Sequence, residues 1–228
     1  MLGAVIGKIV EMLPYSYRAT FYNFKILSKD YGHFKSAANW QSIDKDANPI
    51  PWYSYPAIEF IKQLDLSNKT VFEYGSGNST LFWASRCMRV VAVEDDPKWF
   101  DTIKSKLPPN VEYLMAADKE TYLNAIGNYA DPFDIIIIDG SHRLECTQAA
   151  LNRLSPTGFF ILDNSDWHPI SSKHLRELDR IEIDFSGFNP INGYTTTTSL
   201  YLSRQVDFKP AHDRQPIAGI GGANNNFG

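Results

Sequence analysis

Between residues 70 and 204 the chain alternates short β-rich runs with helical patterns, and this rhythm most constrains the fold. Thr70–Tyr74 is an apolar run that stops at a glycine turn, and Ser79–Arg86 reads as helical after it. Arg89–Glu94 is a second strand. Asp96 caps the next helix, with Pro97 at its first position, where a missing N–H costs nothing. Trp99, Phe100, Ile103 and Leu107 give that helix an apolar face. Val111–Met115 is a third strand and Lys119–Ile126 a helix. Asp134–Ile138 is apolar on both faces, as in the centre of a parallel sheet covered on both sides. A helix over His142–Leu154 and a strand over Phe159–Leu162 follow. Such alternation predicts an α/β, Rossmann-like, doubly wound and mostly parallel sheet. Ile181–Phe185 and Ser199–Leu202 leave no room for a helix between them, so an antiparallel hairpin is expected to close a seven-stranded sheet.

The flanks differ in texture. Residues 1–69 are rich in aromatics and turn residues and end in a helix over Pro56–Leu64; they read as a helical extension, part of a substrate site or a dimer contact. Residues 205–228 finish in GIGGANNNFG, a composition that favours a flexible tail. At the start, Leu2, Val5, Ile6, Ile9, Met12 and Leu13 fall near helical spacing. A helix packed on the domain or on a second subunit is expected there. Peripheral membrane contact through residues 1–13 is the alternative, disfavoured by the low positive charge of the polar face.

The chain has 228 residues, an apolar share of 43%, 21% charged residues and a formal net charge of -4. These values fit a globular domain and give no general attraction for nucleic acid. No stretch reaches the about 20 apolar residues that span a bilayer. Cys87 and Cys146 form no ligand cluster and read as small, semi-buried residues in a reducing compartment, which agrees with a cytoplasmic location.

Glu73-Tyr74-Gly75-Ser76-Gly77-Asn78-Ser79 sits where the first strand meets the first helix. Glycines there permit a tight turn and close approach of a ligand to bare backbone. Alone, this is a weak nucleotide-type signal. Three acidic positions sharpen it: Glu73 ends the first strand, Glu94 (with Asp95 beside it) the second, and Asp118 follows the third. Carboxyl ends of neighbouring strands line one crevice in such sheets. A carboxylate at Glu73 would repel a pyrophosphate. S-adenosylmethionine instead offers an ammonium, a sulfonium, a ribose diol and an exocyclic amine, all suited to carboxylates.

On these residues the chain resembles the class I methyltransferases, from about Lys69 to Arg204. The resemblance implies that Glu73, Gly75 and Gly77 hold the methionine part, Glu94 the ribose and Asp118 the adenine amine. Ser79 stands where the family commonly has a third glycine.

The fourth strand delivers Asp139-Gly140-Ser141-His142, and the fifth Asp163-Asn164. Two carboxylates and an amide oxygen suit Mg²⁺. Asp139, Asp163 and Asn164 also resemble the metal-ligand pattern of O-methyltransferases of catechol and sugar type. That likeness implies Mg-assisted attack by a substrate hydroxyl on the methyl carbon, with Asp139 and His142 as the catalytic pair and His142 taking the proton. His168 is a second candidate base. Equally, Asp139 reads as a contact to the cofactor or a helix cap, Asp163-Asn164 as a turn pair and His142 as a helix-start residue.

Trp52, Tyr53 and Tyr55 in PIPWYSYP, and Trp167, offer flat faces for a sugar or aromatic acceptor, or a packing surface for the extension. Residues 187–198 are a candidate lid. The pattern is similar to bacterial methyltransferases of surface-glycan and secondary-metabolite pathways, which implies a glycan or small-molecule hydroxyl as acceptor. A nicotinamide-dependent oxidoreductase and a non-catalytic cofactor-binding protein are the competing readings.

Overall fold

The computed structural model describes residues 10–222. Its centre is a seven-stranded sheet of order β3-β2-β1-β4-β5-β7-β6. The strands are β1 (Thr70–Tyr74), β2 (Arg89–Glu94), β3 (Val111–Met115), β4 (Phe133–Ile138), β5 (Leu154–Asp163), β6 (Ile181–Phe188) and β7 (Thr195–Leu202). β3 through β5 are parallel neighbours, and β7 pairs antiparallel with both β5 and β6. The expected sheet and closing hairpin are therefore present.

β4 shows why the sheet must be covered twice. Ile135 and Ile137 enter one core with Val71, Val90 and Trp83, while Ile136 and Ile138 enter the other with Phe72, Val93 and Leu162. All four isoleucines are fully buried, each stabilising the fold by about 1.5–3 kcal/mol. Helices α3 (Tyr55–Lys62) and α4 (Asn78–Ala84) close the first face. On the second lie α6 (Lys119–Asn124), α7 (Arg143–Ala150) and α8 (Pro169–Arg176), through Tyr122, Cys146 and Leu175. Helix α5 (Pro97–Lys104) starts as expected, with Asp96 Oδ1 accepting from the Lys98 and Trp99 amides. Cys87 and Cys146 are free and buried.

Several boundaries differ from expectation. The run Thr195–Thr198 pairs with Phe185–Phe188, so half of the expected lid is strand and residues 189–194 form the loop. Four consecutive β-branched threonines favour that outcome. Helix α8, short and polar, was not expected. The extension, expected to be helical, holds α1 (Tyr15–Lys25) and α2 (His33–Asn39), which a π-helical turn over Ile26–Asp30 connects. The segment read as a tail makes contacts with the body of the domain as far as Ile220, whose N–H donates to Glu59 Oε2. Phe208 packs on the core, and Ala211 N–H donates to the Gln63 carbonyl at 2.9 Å. Of the apolar N-terminal pattern, Leu2, Val5, Ile6 and Ile9 lie outside the described residues, and Met12 and Leu13 are exposed. Among the described residues no helix is long and apolar enough to cross a membrane.

Candidate active site

A cavity of about 860 Å³ opens at the carboxyl ends of the parallel strands, where the glycine turn after β1 faces the loops after β4 and β5. The turn is built on close backbone contact. Gly75 has φ 95°, and a Cβ there would lie 2.9 Å from the Cα of Gly140. Any side chain at Gly75 would thus be strained and would push the two turns apart. Thr80 Oγ1 accepts from Gly77 N–H and donates to Glu73 Oε2 at 2.6 Å, tying α4 to the end of β1.

Ser76, Gly77, Asn78 and Ser79 line the cavity. Glu73 and Glu94 lie one side chain beneath it. Glu73 is fully buried, and its Oε1 has no hydrogen-bond partner. Burial pushes its carboxyl up to about 8, although the Ser79 and Thr80 hydroxyls pull it back. Glu94 accepts from Ser76 Oγ at 2.5 Å through Oε2, and from the Asp95 and Asp96 amides through Oε1. Burial raises it too. Trp99, expected on the inner face of its helix, instead covers the turn and donates from Nε1 to the Ser76 carbonyl at 2.9 Å. Asp95 is half-buried beside Glu94. Asp118 does not join them: it is exposed and caps α6, accepting from Thr121 N–H. A single short loop after β3 leaves its side chain closest to the next helix start.

Asp139 and Asp163 do converge, at the ends of β4 and β5, but on an arginine. Arg143 Nη2 donates to Asp139 Oδ1 at 3.0 Å and to its carbonyl, Nε donates to the Gly140 carbonyl, and Nη1 reaches the Asp163 carbonyl. Asp163 Oδ1 takes the Thr198 hydroxyl at 2.6 Å. Burial pushes Asp139 up to about 6 against the pull of Arg143. Burial, and the neighbouring Asp139, also hold the Asp163 carboxyl well above the usual carboxylate range.

This arrangement does not fit Mg²⁺. A fixed guanidinium already supplies the positive charge between the two chain ends, and a divalent cation beside it would be repelled. Asn164, in the left-handed region at φ 51°, lines the cavity. Among the described residues no group of three or more His, Cys, Asp and Glu side chains is placed to hold a metal.

His142 also falls elsewhere than expected. It takes φ 53° at the start of α7, is exposed, and its ring lies edge-on to Tyr122. The left-handed step rotates the next residue, Arg143, into the cavity instead. The Asp139/Arg143 spacing of four was the available signal for this pair. His168 is half-buried outside the cavity wall, and desolvation and Arg143 both lower its pKa.

The cavity rim is aromatic and amide-rich. Trp52 and Trp167 line it, 36% and 55% exposed. Trp40, which sequence reasoning passed over, stands edge-on to Trp52 at 5.9 Å, and Tyr194 lies against Trp167 at 6.1 Å. Trp52 Nε1 donates to Asn189 Oδ1. Asn78 Nδ2 donates to the Ser42 carbonyl at 2.7 Å, which joins the N-terminal extension to the glycine turn. Tyr53 and Tyr55 offer no stacking face here. Tyr53 is wholly in the core, and Tyr55 packs on Tyr31 at the wall of a separate cleft.

This sheet order, with an acid-bearing glycine turn at the end of β1, is the fold of the class I S-adenosylmethionine-dependent methyltransferases. Residues 72–165 match the family described as "Methyltransferase domain", from inside β1 to just past β5, and the chain carries that domain. Among solved structures it is similar to precorrin-6y C5,15-methyltransferase from Geobacter metallireducens, at 17% identity and a TM-score of 0.51, over 65% of this chain and 87% of that one. An rRNA methylase from Streptococcus thermophilus matches at 18% identity and a TM-score of 0.47, over 65% and 97%. Spermidine synthase from Thermotoga maritima matches at 14% identity and a TM-score of 0.48, over 67% and 57%. At these identities the likeness is one of fold. No curated protein matches the sequence.

The residues present fit S-adenosylmethionine. Glu73 keeps a buried, unpartnered oxygen under the turn, suited to a cationic donor. Glu94 already accepts from a hydroxyl, that of Ser76, which is the donor type a ribose presents. An enzyme of this class, rather than a nicotinamide-dependent oxidoreductase, is what the family match supports.

Proposed function

We propose that the protein is an O-methyltransferase whose acceptor is a sugar or glycan hydroxyl. The observation that carries this reading is the rim: exposed indole faces of Trp40, Trp52 and Trp167 beside the amide of Asn192, on the wall of the cavity that also holds Asp139. Flat aromatic faces stack on the C–H faces of sugars, and amides donate to and accept from hydroxyls without demanding a charge.

When bound, S-adenosylmethionine supplies a methyl group on a positively charged sulfur. The glycine turn and Glu73 seat its amino-acid end, and Glu94 holds its ribose. Trp52 and Trp167 orient the acceptor over Asp139. Asp139 accepts the hydroxyl proton as the oxygen attacks, and Arg143 holds the carboxylate in place throughout. Positioning two reactants in line supplies a large part of the rate.

The test is transfer of a labelled methyl group to a panel of neutral sugars, catechols and carboxylic acids. An alkali-stable methyl ether on a sugar is expected. Label confined to alkali-labile esters or to amines would overturn the reading.

A further inference from the structure

Helix α1 is built inside out. None of its eleven residues is buried. Tyr17, Phe21 and Phe24 recur at i, i+4 and i+7, on one face, and are 65%, 37% and 65% exposed. Phe24 also lines the separate cleft, of about 510 Å³, whose walls include Leu27, Tyr55, Pro56 and Phe188. Phe24 therefore joins the stripe to the cleft, and exposed apolar side chains that adjoin in this way mark an interaction surface.

Charge along this helix runs against that of the whole chain. The net charge is -4, yet residues 12–29 contain Arg18, Lys25 and Lys29 and no acid. Among the described residues none of these three makes an ion pair, although nine ion pairs form elsewhere. Lys25 and Lys29 are exposed.

From this arrangement we propose that α1 seats the protein on an anionic lipid bilayer, with Tyr17, Phe21 and Phe24 entering the headgroup layer and Lys25 and Lys29 facing lipid phosphates. Aromatic side chains with an apolar body and basic flanks settle at such interfaces. A second copy of the chain fits less well. A two-fold contact through α1 would bring the bases of both copies together.

The test is co-sedimentation of the full chain with vesicles of phosphatidylcholine mixed with phosphatidylglycerol, against phosphatidylcholine alone. Binding only to the anionic vesicles is expected, with loss as salt is raised. Lys25→Gln with Lys29→Gln should weaken it by roughly fivefold per charge, about 25-fold together. Tyr17→Ser with Phe21→Ser should weaken it too, while S-adenosylhomocysteine affinity stays at the parent value and reports an intact fold. No binding to anionic vesicles would overturn the proposal, as would equal binding to neutral ones. So would a salt-insensitive parent, or a dimer that these substitutions dissolve. Salt dependence of the parent keeps the test open should a variant fail to fold.

Discussion

Arg143 Nη2 lies 3.0 Å from Asp139 Oδ1, and the same guanidinium holds the Asp163 carbonyl. The side chains of Arg143 and Asp139 are 13% and 19% exposed, so this is a largely buried pair. It latches the ends of β4 and β5 together at the floor of the cavity. It also puts a permanent positive charge where the sequence pattern alone had suggested Mg²⁺.

Turnover should therefore survive excess EDTA without loss, and added Mg²⁺ should not raise it. Arg143→Ala should cost about 3 kcal/mol of stability, because it leaves buried carboxyls without their cation. Chemical denaturation measures that loss. Arg143→Lys should recover it only in part, since a lysine cannot bond both strand ends in a fork.

Asp139 must be ionised to accept a proton, and burial raises it to about 6. The pH profile of kcat/KM should accordingly climb through about pH 6 and flatten above it. Asp139→Asn should remove that limb and lower kcat by roughly 10²-fold or more, with S-adenosylhomocysteine affinity little changed. A profile that rises instead with a histidine's pKa, and disappears in His142→Gln, would return the role to His142.

Glu73 gives a second pH signature. Its carboxyl is raised from 4.5 to about 8 in the folded protein. Between those values the folded form keeps a proton that the unfolded chain has lost, so its contribution to stability falls as pH rises across that window. Glu73→Gln should flatten this part of the melting profile. The ionised form suits the cofactor's ammonium, so S-adenosylhomocysteine should bind more tightly at pH 8 than at pH 6 in the parent. In Glu73→Gln that difference should shrink.

The two ends of the cavity should separate in mutagenesis. Glu94→Ala removes a charged acceptor and should weaken S-adenosylhomocysteine binding by roughly tenfold to 100-fold by calorimetry. Trp52→Ala should leave that affinity alone and raise the acceptor KM by about tenfold, as expected for a lost stacking face.

The sheet was legible in the sequence because its strands are bounded runs of Val, Ile and Phe. The bounds of β1, β2 and β3 agree with expectation residue for residue. Helix α8 was not, because PISSKHLR is short, polar and opens on proline, so its inner face rests on little more than Leu175. In the site, residues that follow directly from strand ends, Ser76 to Ser79, Asp139 and Asp163, reach the cavity. His142 and Asp118 miss it because their placement depends on the local turn, a left-handed step in one case and a helix cap in the other. Trp40 lies far in sequence from the strand ends that form the cavity, and the turn that pairs Ile43 with Pro49 separates it from Trp52 in the chain.

The glycine turn with Glu73 and Glu94 as an S-adenosylmethionine site is the claim on which the rest depends. Calorimetric titration with S-adenosylhomocysteine, and separately with NADH, tests it most directly. Saturable one-to-one binding of S-adenosylhomocysteine with no response to NADH is the predicted result. Binding of NADH with none of S-adenosylhomocysteine would contradict the account.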